Sequence, residues 1–420
     1  MRVRMDYGRN GLWVEVPDHA DVFLVRETTG IADEVAEVQI AIQNPIQSPP
    51  LGSLVRAGMK VAVAHTDITR ATPNDRLLPV ILKELEKSGV SRKDIVLLNG
   101  LGTHRPQTRD EMTQMLGADL VKDYLCLQHD AYDDAGLVSL GQTERGHPIS
   151  LNRNLIEADF KILTGFIEPH FFAGFSGGPK AILPALAGAE SIFANHSPAM
   201  IAHPKATFNI THGNPVWEEM KEVALKVENT FLVNVTLDRE NRITNVFAGD
   251  LITAHAQGCN FVKSASEFEI PDLYDVVITT NSGYPLDQNL YQCVKGLAAA
   301  RRAVRKGGAI LLLAACEEGL PDNSAYAKIL KQAGGPAAVL DRIAEADSVW
   351  QDSWQAQIQA QVQMEADVYL SSEGLDTTQV KTALLNPCTN PDRDIQTLME
   401  KYGRRVCVLP QGPLTILSKS

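Results

Sequence analysis

Apolar residues along the chain gather into short runs separated by stretches with helical spacing. Val61-Ala62-Val63-Ala64 is one run and ends at His65-Thr66-Asp67. Residues 94–98 and 160–163 form two more, and 124–127 reads as a further strand. Between them, 77–87 and 107–116 repeat apolar positions as a helix face does. A second series begins near Pro271, with strands at 275–279, 310–315, 368–370 and 406–409. Helices are expected over 290–304 and much of 324–345, and short strands near 3–7, 12–16 and 22–25. Strands alternating with helices imply βαβ units. The expected class is α/β, with two domains of mostly parallel sheets flanked by helices. The boundary falls between 258 and 274, giving an N-terminal domain over 1–265 and a C-terminal domain over 266–420. No internal repeat is evident.

In open α/β sheets, ligands gather outside the carboxyl ends of the strands. The loops 65–75, 100–108 and 165–180 all follow expected strands and concentrate polar residues and glycines. The first holds Asp67, Thr69 and Arg70; a guanidinium fork suits carboxylate or phosphate. It reads equally as a capped helix start, with Thr72 or Asn74 as the cap. The second, Gly100-Leu101-Gly102-Thr103-His104-Arg105, places a histidine where a general acid or base is useful, or is a tight turn with a surface histidine. The third, Glu168-Pro169-His170-Phe171-Phe172-Ala173-Gly174-Phe175-Ser176-Gly177-Gly178-Pro179-Lys180-Ala181, approaches a P-loop in its Gly174–Lys180 spacing. Pro179 stands where a glycine belongs, and Ala181 where a magnesium-binding hydroxyl belongs. A helix opening at Gly177-Gly178 through Pro179 would still suit a phosphate. In the second series, Gln292 and Lys295 share a helix face one turn apart, which is an anion contact or a solvated surface. His65 is a possible site-lining residue, and His19, His129, His147, His203, His212 and His255 read as structural or surface.

The 420 residues suffice for two or three domains. The formal charge of −12 disfavours sequence-independent binding to nucleic acid or anionic membranes. No stretch reaches the ~20 apolar residues of a membrane span. The opening residues lack the apolar core of a signal peptide. The six cysteines are scattered with no C-x-x-C pair, which points to thiols in a reducing cytoplasm.

Taken together, the D-x-T-R loop, the G-x-G-T-H-R and E-P-H-F-F-A-G-F-S-G-G-P-K segments, Asn195-His196-Ser197-Pro198 and Tyr291-Gln292-Cys293-Val294-Lys295-Gly296 resemble a known superfamily. It is that of the nickel-dependent lactate racemase catalytic subunit, comprising nickel-pincer-nucleotide 2-hydroxyacid racemases and epimerases. The resemblance implies two α/β domains with the active site in the cleft between them. It implies a nickel-pincer nucleotide, a pyridinium bisthiocarboxylic acid mononucleotide made by dedicated cofactor-synthesis enzymes. His196 corresponds to the nickel ligand and Lys180 to a lysine that tethers the cofactor in some members. His104 and His170 match the acid/base pair. Asp67, Thr69, Arg70, Ser176, Gly177, Gly178, Lys180, His196, Gln292 and Lys295 fall around the cofactor, and Arg70, Tyr291, Gln292 and Lys295 around a small 2-hydroxy acid. Lactate, malate, aryl-lactates and sugar acids are the substrates such proteins take. Phe171, Phe172, Tyr291, Trp350 and Trp354 are candidate walls of the side-chain pocket. The implied reaction inverts C2 by moving a hydride with the hydroxyl proton. Two other readings stand beside it: a carrier of the cofactor, and a nucleotide-binding transferase using the modified P-loop.

Overall fold

The structure is a computed structural model that describes residues 1–321, 324–346 and 351–419. Two six-stranded sheets organise it. In the first, the spatial order is Ile243–Gly249, Thr230–Leu237, Phe160–Phe166, Val61–Thr66, Ile95–Gly100, Leu125–Gln128. All neighbours run parallel except the Ile243–Gly249 edge strand. The central strands are apolar on both faces, as a sheet covered by helices on each side requires. Helix Asn74–Lys87 buries Leu77, Leu78, Ile81 and Leu85 on one face. Its N-cap position is Pro73 with no side-chain cap, so neither Thr72 nor Asn74 caps it. The Asn74 amide instead donates to the Thr66 carbonyl at 3.1 Å. Helix Arg109–Leu116 opens on a reciprocal Thr108–Glu111 capping box.

The second sheet is wholly parallel, in the order Asn386–Pro387, Ala366–Ser371, Val304–Leu313, Tyr274–Thr280, Val406–Leu409, Asp21–Val22. The helix expected over 290–304 ends at Arg301, and the strand expected at 310–315 begins at Val304. Gly307, at φ +71°, is carried inside the strand rather than ending the helix.

The first residues are placed differently from the sequence expectation, which counts them with the N-terminal domain. Asp21–Val22 pairs with Val406–Leu409. The preceding hairpin, Arg2–Met5 with Leu12–Glu15, buries Met5, Val14 and Val16 against Val276, Leu311 and Val408. An exposed edge strand and an uncovered apolar sheet face explain the crossing.

In each sheet, strand order reverses beside a central strand. The reversal lies between Val61–Thr66 and Phe160–Phe166 in the first, and between Tyr274–Thr280 and Val406–Leu409 in the second. Such points leave a crevice at the carboxyl ends. The two crevices adjoin: the short strand Pro169–His170 touches the turn Gly412–Leu414, and helix Ser353–Gln363 packs on helix Pro198–Ala202. Among the described residues no helix is long and apolar enough to cross a membrane.

Leu311 is fully buried between the second sheet and the N-terminal hairpin. Leu311→Ala is expected to cost about 2–5 kcal/mol of stability, read from urea unfolding followed by far-UV circular dichroism.

Candidate active site

Three loops leave adjacent carboxyl ends of the first sheet, and each delivers one part of the site. After Val61–Thr66 the chain turns at Asp67, whose Oδ1 accepts the Thr69 amide at 2.9 Å and the Thr69 hydroxyl at 2.5 Å. Asp67 Oδ2 lies 2.5 Å from His104 Nδ1, reached from the loop after Ile95–Gly100. A carboxylate only accepts, so a hydrogen of the His104 ring sits on Nδ1, which in the neutral ring leaves the lone pair on Nε2. Burial alone raises the Asp67 carboxyl. The His104 hydrogen bond and the Arg70 charge outweigh it and hold the group down at about 2. Asp67 is 2% exposed while the His104 ring is 42% exposed, so a fixed anion orients an accessible base.

The third loop is the long glycine segment. Its hairpin pairs Pro169–His170 with Gly174–Phe175. The Ala173 N–H donates to His170 Nδ1 at 3.2 Å. That leaves the neutral ring's hydrogen on Nε2, the reverse of His104. Burial, reinforced by Lys180, Lys295, Arg70 and His196, keeps His170 well below the usual histidine range, and hence neutral. Phe171, Phe172 and Phe175 are core residues, and the rings of Phe171 and Phe172 lie 4.9 and 4.5 Å from the His170 ring.

Ser176 is absorbed in holding this loop. Its hydroxyl donates to the Phe166 carbonyl at 3.0 Å and accepts the Glu168 amide at 2.9 Å. The expected helix at Gly177-Gly178 is a four-residue 3-10 turn, Gly178–Ala181. The Gly178 N–H is already given to Asn234 Oδ1 at 2.8 Å. A Cβ on Gly177 would meet that same oxygen at 2.4 Å, and one on Gly178 the His255 ring at 2.4 Å. These glycines therefore serve close packing, and the turn lacks the array of free amides a P-loop presents.

Lys180 leaves this turn into a cluster of charge. Burial, then Arg70, brings its amine down to about 7, with Glu168 opposing. Lys295, from helix Leu290–Arg301 of the second half, is lowered to about 8 by burial and Arg70. Glu168 is raised by burial against the pull of Lys295, Arg70 and Lys180. Gln292 lies one turn before Lys295 on the same helix, and the Tyr291 hydroxyl donates to Asp352 Oδ1 at 2.7 Å.

His196 ends helix Ala189–Asn195. Its Nδ1 lies 3.0 Å from the Ile192 carbonyl, which only accepts, so Nε2 is left with a free lone pair. Burial, then Lys180, lowers its pKa to about 3. The rings of Phe172 and Trp354 flank it at 5.1 and 5.3 Å. A neutral imidazole with one nitrogen locked on a backbone carbonyl and the other free in an apolar seat fits a metal ligand.

Residues 7–209 match the lactate racemase N-terminal domain, and 271–417 the lactate racemase C-terminal domain. The chain is 34% identical over 423 residues to a lactate racemase of Thermoanaerobacterium thermosaccharolyticum, covering 99% of each. It is 35% identical over 384 residues to one from Lactiplantibacillus plantarum, covering 90% of each. The chain belongs to the lactate racemase family. It is an isomerase, a racemase. The structure of the lactate racemase apoprotein from T. thermosaccharolyticum superposes with a TM-score of 0.93 at 32% identity, covering 99% of this chain and 100% of that one. A Thermotoga maritima protein at TM-score 0.67 and 17% identity shares the fold.

Several residues of the candidate site escape a sequence reading. Glu168 stood in the long motif but looked like loop. Asn234 is a buried polar residue in an apolar strand, the one local signal of its role. His255, treated as structural or surface, lies behind Lys180, with Nε2 2.9 Å from the Ser176 carbonyl. Asp352 carries no local pattern. Of the aromatic candidates, Trp350 lies outside the described residues.

The Lys180 shift has a consequence for stability. Its folded value of about 7 lies below the ordinary 10.5, so between these values the unfolded chain binds the extra proton. Stability from this group therefore rises with pH across that window. Lys180→Met is expected to melt above the wild type at pH 6, with the gap narrowing toward pH 10. Melting temperatures of the two cofactor-free proteins in paired buffers check this.

Proposed function

We propose that this racemase inverts C2 of small 2-hydroxy acids, lactate foremost, with a nickel-pincer nucleotide as cofactor. The observation that carries the reading is the pair of histidines with opposite ring tautomers beside the Arg70, Lys180 and Lys295 cluster. Arg70 and Lys295 hold the substrate carboxylate, Arg70 through its planar fork. His104, its Nδ1 held on Asp67, takes the hydroxyl proton at Nε2. His170 stands on the other side of C2 and donates a proton from Nε2 once the ring has taken up a proton at Nδ1 in place of its contact with Ala173, so that a neutral imidazole is left behind. In the reverse sense that neutral ring, its hydrogen on Nδ1, accepts the hydroxyl proton at Nε2 and His104 gives one back. Phe171, Phe172 and Trp354 keep water from the reacting carbon.

His196 is the residue to hold nickel, through Nε2, and Lys180 the residue to tether the organic part through its amine. With a pKa near 7, that amine is substantially unprotonated at neutral pH and nucleophilic. Asp67, Thr69, Gln292 and the turn at Ser176-Gly177-Gly178 border the same space. When bound, the cofactor supplies hydride acceptance and return at C2; the protein supplies placement and proton transfer. The transferase alternative is disfavoured, because Gly178 has given its amide to Asn234 and Ala181 offers no hydroxyl to magnesium.

The test is a chiral assay on protein made with the cofactor-synthesis enzymes, using single enantiomers of lactate, malate, phenyllactate and gluconate, with nickel measured on the same sample. Inversion with nickel near one per chain is expected. His104→Ala and His170→Ala are each expected to lower kcat by about 10²–10⁴-fold with melting temperature retained. Near wild-type inversion in either variant would sink the two-histidine mechanism. Bound nickel without inversion of any acid would favour the carrier.

A further inference from the structure

His196 stands just past the end of a short helix. Ala189–Asn195 has seven residues and no side-chain cap at its N-terminus, and His196 is its C-cap. So short a helix gains little stability from its own hydrogen bonds and takes its direction from what it packs against. Its last residue, Asn195, is fully buried. The Asn195 Nδ2 donates to the Val216 carbonyl at 3.1 Å and to Glu219 Oε2 at 2.9 Å, both on helix Pro215–Leu225. Asn195 Oδ1 has no partner among the described residues, so these two bonds fix the side chain. Glu219 is 2% exposed. Its other oxygen, Oε1, accepts the Thr143 hydroxyl at 3.0 Å and the His147 Nδ1 hydrogen, with Nδ1 at 2.7 Å. Both donors lie in the turn between strands Leu137–Gln142 and Pro148–Asn152.

We propose that Glu219 is a positioning residue for the cofactor's metal: acting through Asn195, it fixes the end of helix Ala189–Asn195 and with it the direction of His196 Nε2. The proposal rests on the reading of His196 as the nickel ligand. A buried carboxylate is a poor choice for packing alone, because taking it out of water costs more than burying an apolar side chain of similar volume. What it adds is direction. Its two oxygens hold donors from two separate elements, so helix Ala189–Asn195 and the turn at 143–147 are tied through one rigid group to helix Pro215–Leu225. His196 is then held within its own helix, by the bond from Nδ1 to the Ile192 carbonyl, and through the helix end, by Asn195. On its other flank, Gln357 Nε2 donates to the Pro198 carbonyl at 2.8 Å. Without Glu219 the ring keeps its own bond, but the helix end that carries it is freer to turn. A metal–imidazole bond tolerates shifts of only about 0.2 Å, so a loosened helix end is felt at Nε2.

The experiment compares wild type with Glu219→Leu, Glu219→Gln, Asn195→Ala and the double variant Glu219→Leu/Asn195→Ala. Nickel loss from cofactor-loaded protein into excess chelator is timed, and the His196 ring is followed by nitrogen NMR in cofactor-free protein labelled at histidine. Glu219→Leu and Asn195→Ala are each expected to lose nickel about tenfold faster than wild type. The double variant is expected to be no faster than Glu219→Leu, since both changes cut one route. In these variants the His196 signals are expected to move from a single Nδ1–H tautomer toward the exchange-averaged position. Glu219→Gln keeps an oxygen for Asn195 and is expected to restore most of the wild-type behaviour. Asn195→Ala leaves Glu219 its other two donors, so it serves if Glu219→Leu fails to fold. Wild-type nickel retention with unmoved His196 signals in either folded single variant overturns the proposal, as do single effects that add in the double variant. A wild type that takes up no nickel while the His196 signals still move in the variants supports the role of Glu219 and overturns the nickel reading instead.

Discussion

Three cations, Arg70, Lys180 and Lys295, are held within electrostatic reach of one another, with the Glu168 carboxylate among them. Like charges brought together out of water are costly, and the protein answers by lowering the lysine pKa values and by keeping its nearby histidines neutral. Much of the surrounding structure serves this arrangement. The hairpin after Phe160–Phe166 carries His170, the turn after it carries Lys180, and the Asp67 turn carries Arg70. Helix Leu290–Arg301 adds Lys295 from the other half of the chain. A chain folded this way is prepared for an anion, whose entry offsets the accumulated charge.

The same constraint explains why each histidine is tied at Nδ1 to a different partner. His104 faces Asp67, His170 a backbone amide and His196 a backbone carbonyl. A free imidazole near cations would rotate and exchange tautomers; a fixed partner chooses one. His104 and His196 are left with bare Nε2 nitrogens and His170 with a protonated one. Three chemically identical side chains are thus set apart by contacts made with neighbouring backbone and one carboxylate.

Much of the fold was legible from local pattern. The runs Val61-Ala62-Val63-Ala64 and Ile95-Val96-Leu97-Leu98 are apolar on both faces, which only a covered parallel strand satisfies. The alternation with helices then gives an α/β class. The placement of residues 1–23 was not legible, because a two-residue strand and a hairpin carry no record of which sheet edge needs them. The Gly177-Gly178 turn misled for a similar reason: glycine permits both a phosphate cradle and close packing, and only the approach of Asn234 and His255 decides between them.

For the site, the sequence by itself determined which residue types stand at the carboxyl ends of strands: His104, His170, Arg70 and Lys180 sit in loops that a doubly wound sheet places together. The motif order along the chain carried the family. The tertiary structure alone decided how those groups are charged and which atoms face the ligand. The His104 tautomer, the low pKa of Lys180 and the turning of Asp352 toward Tyr291 depend on burial and on partners that include residues tens of positions or more away. No local sequence encodes these, because desolvation and Coulomb interaction follow distance in space rather than separation along the chain.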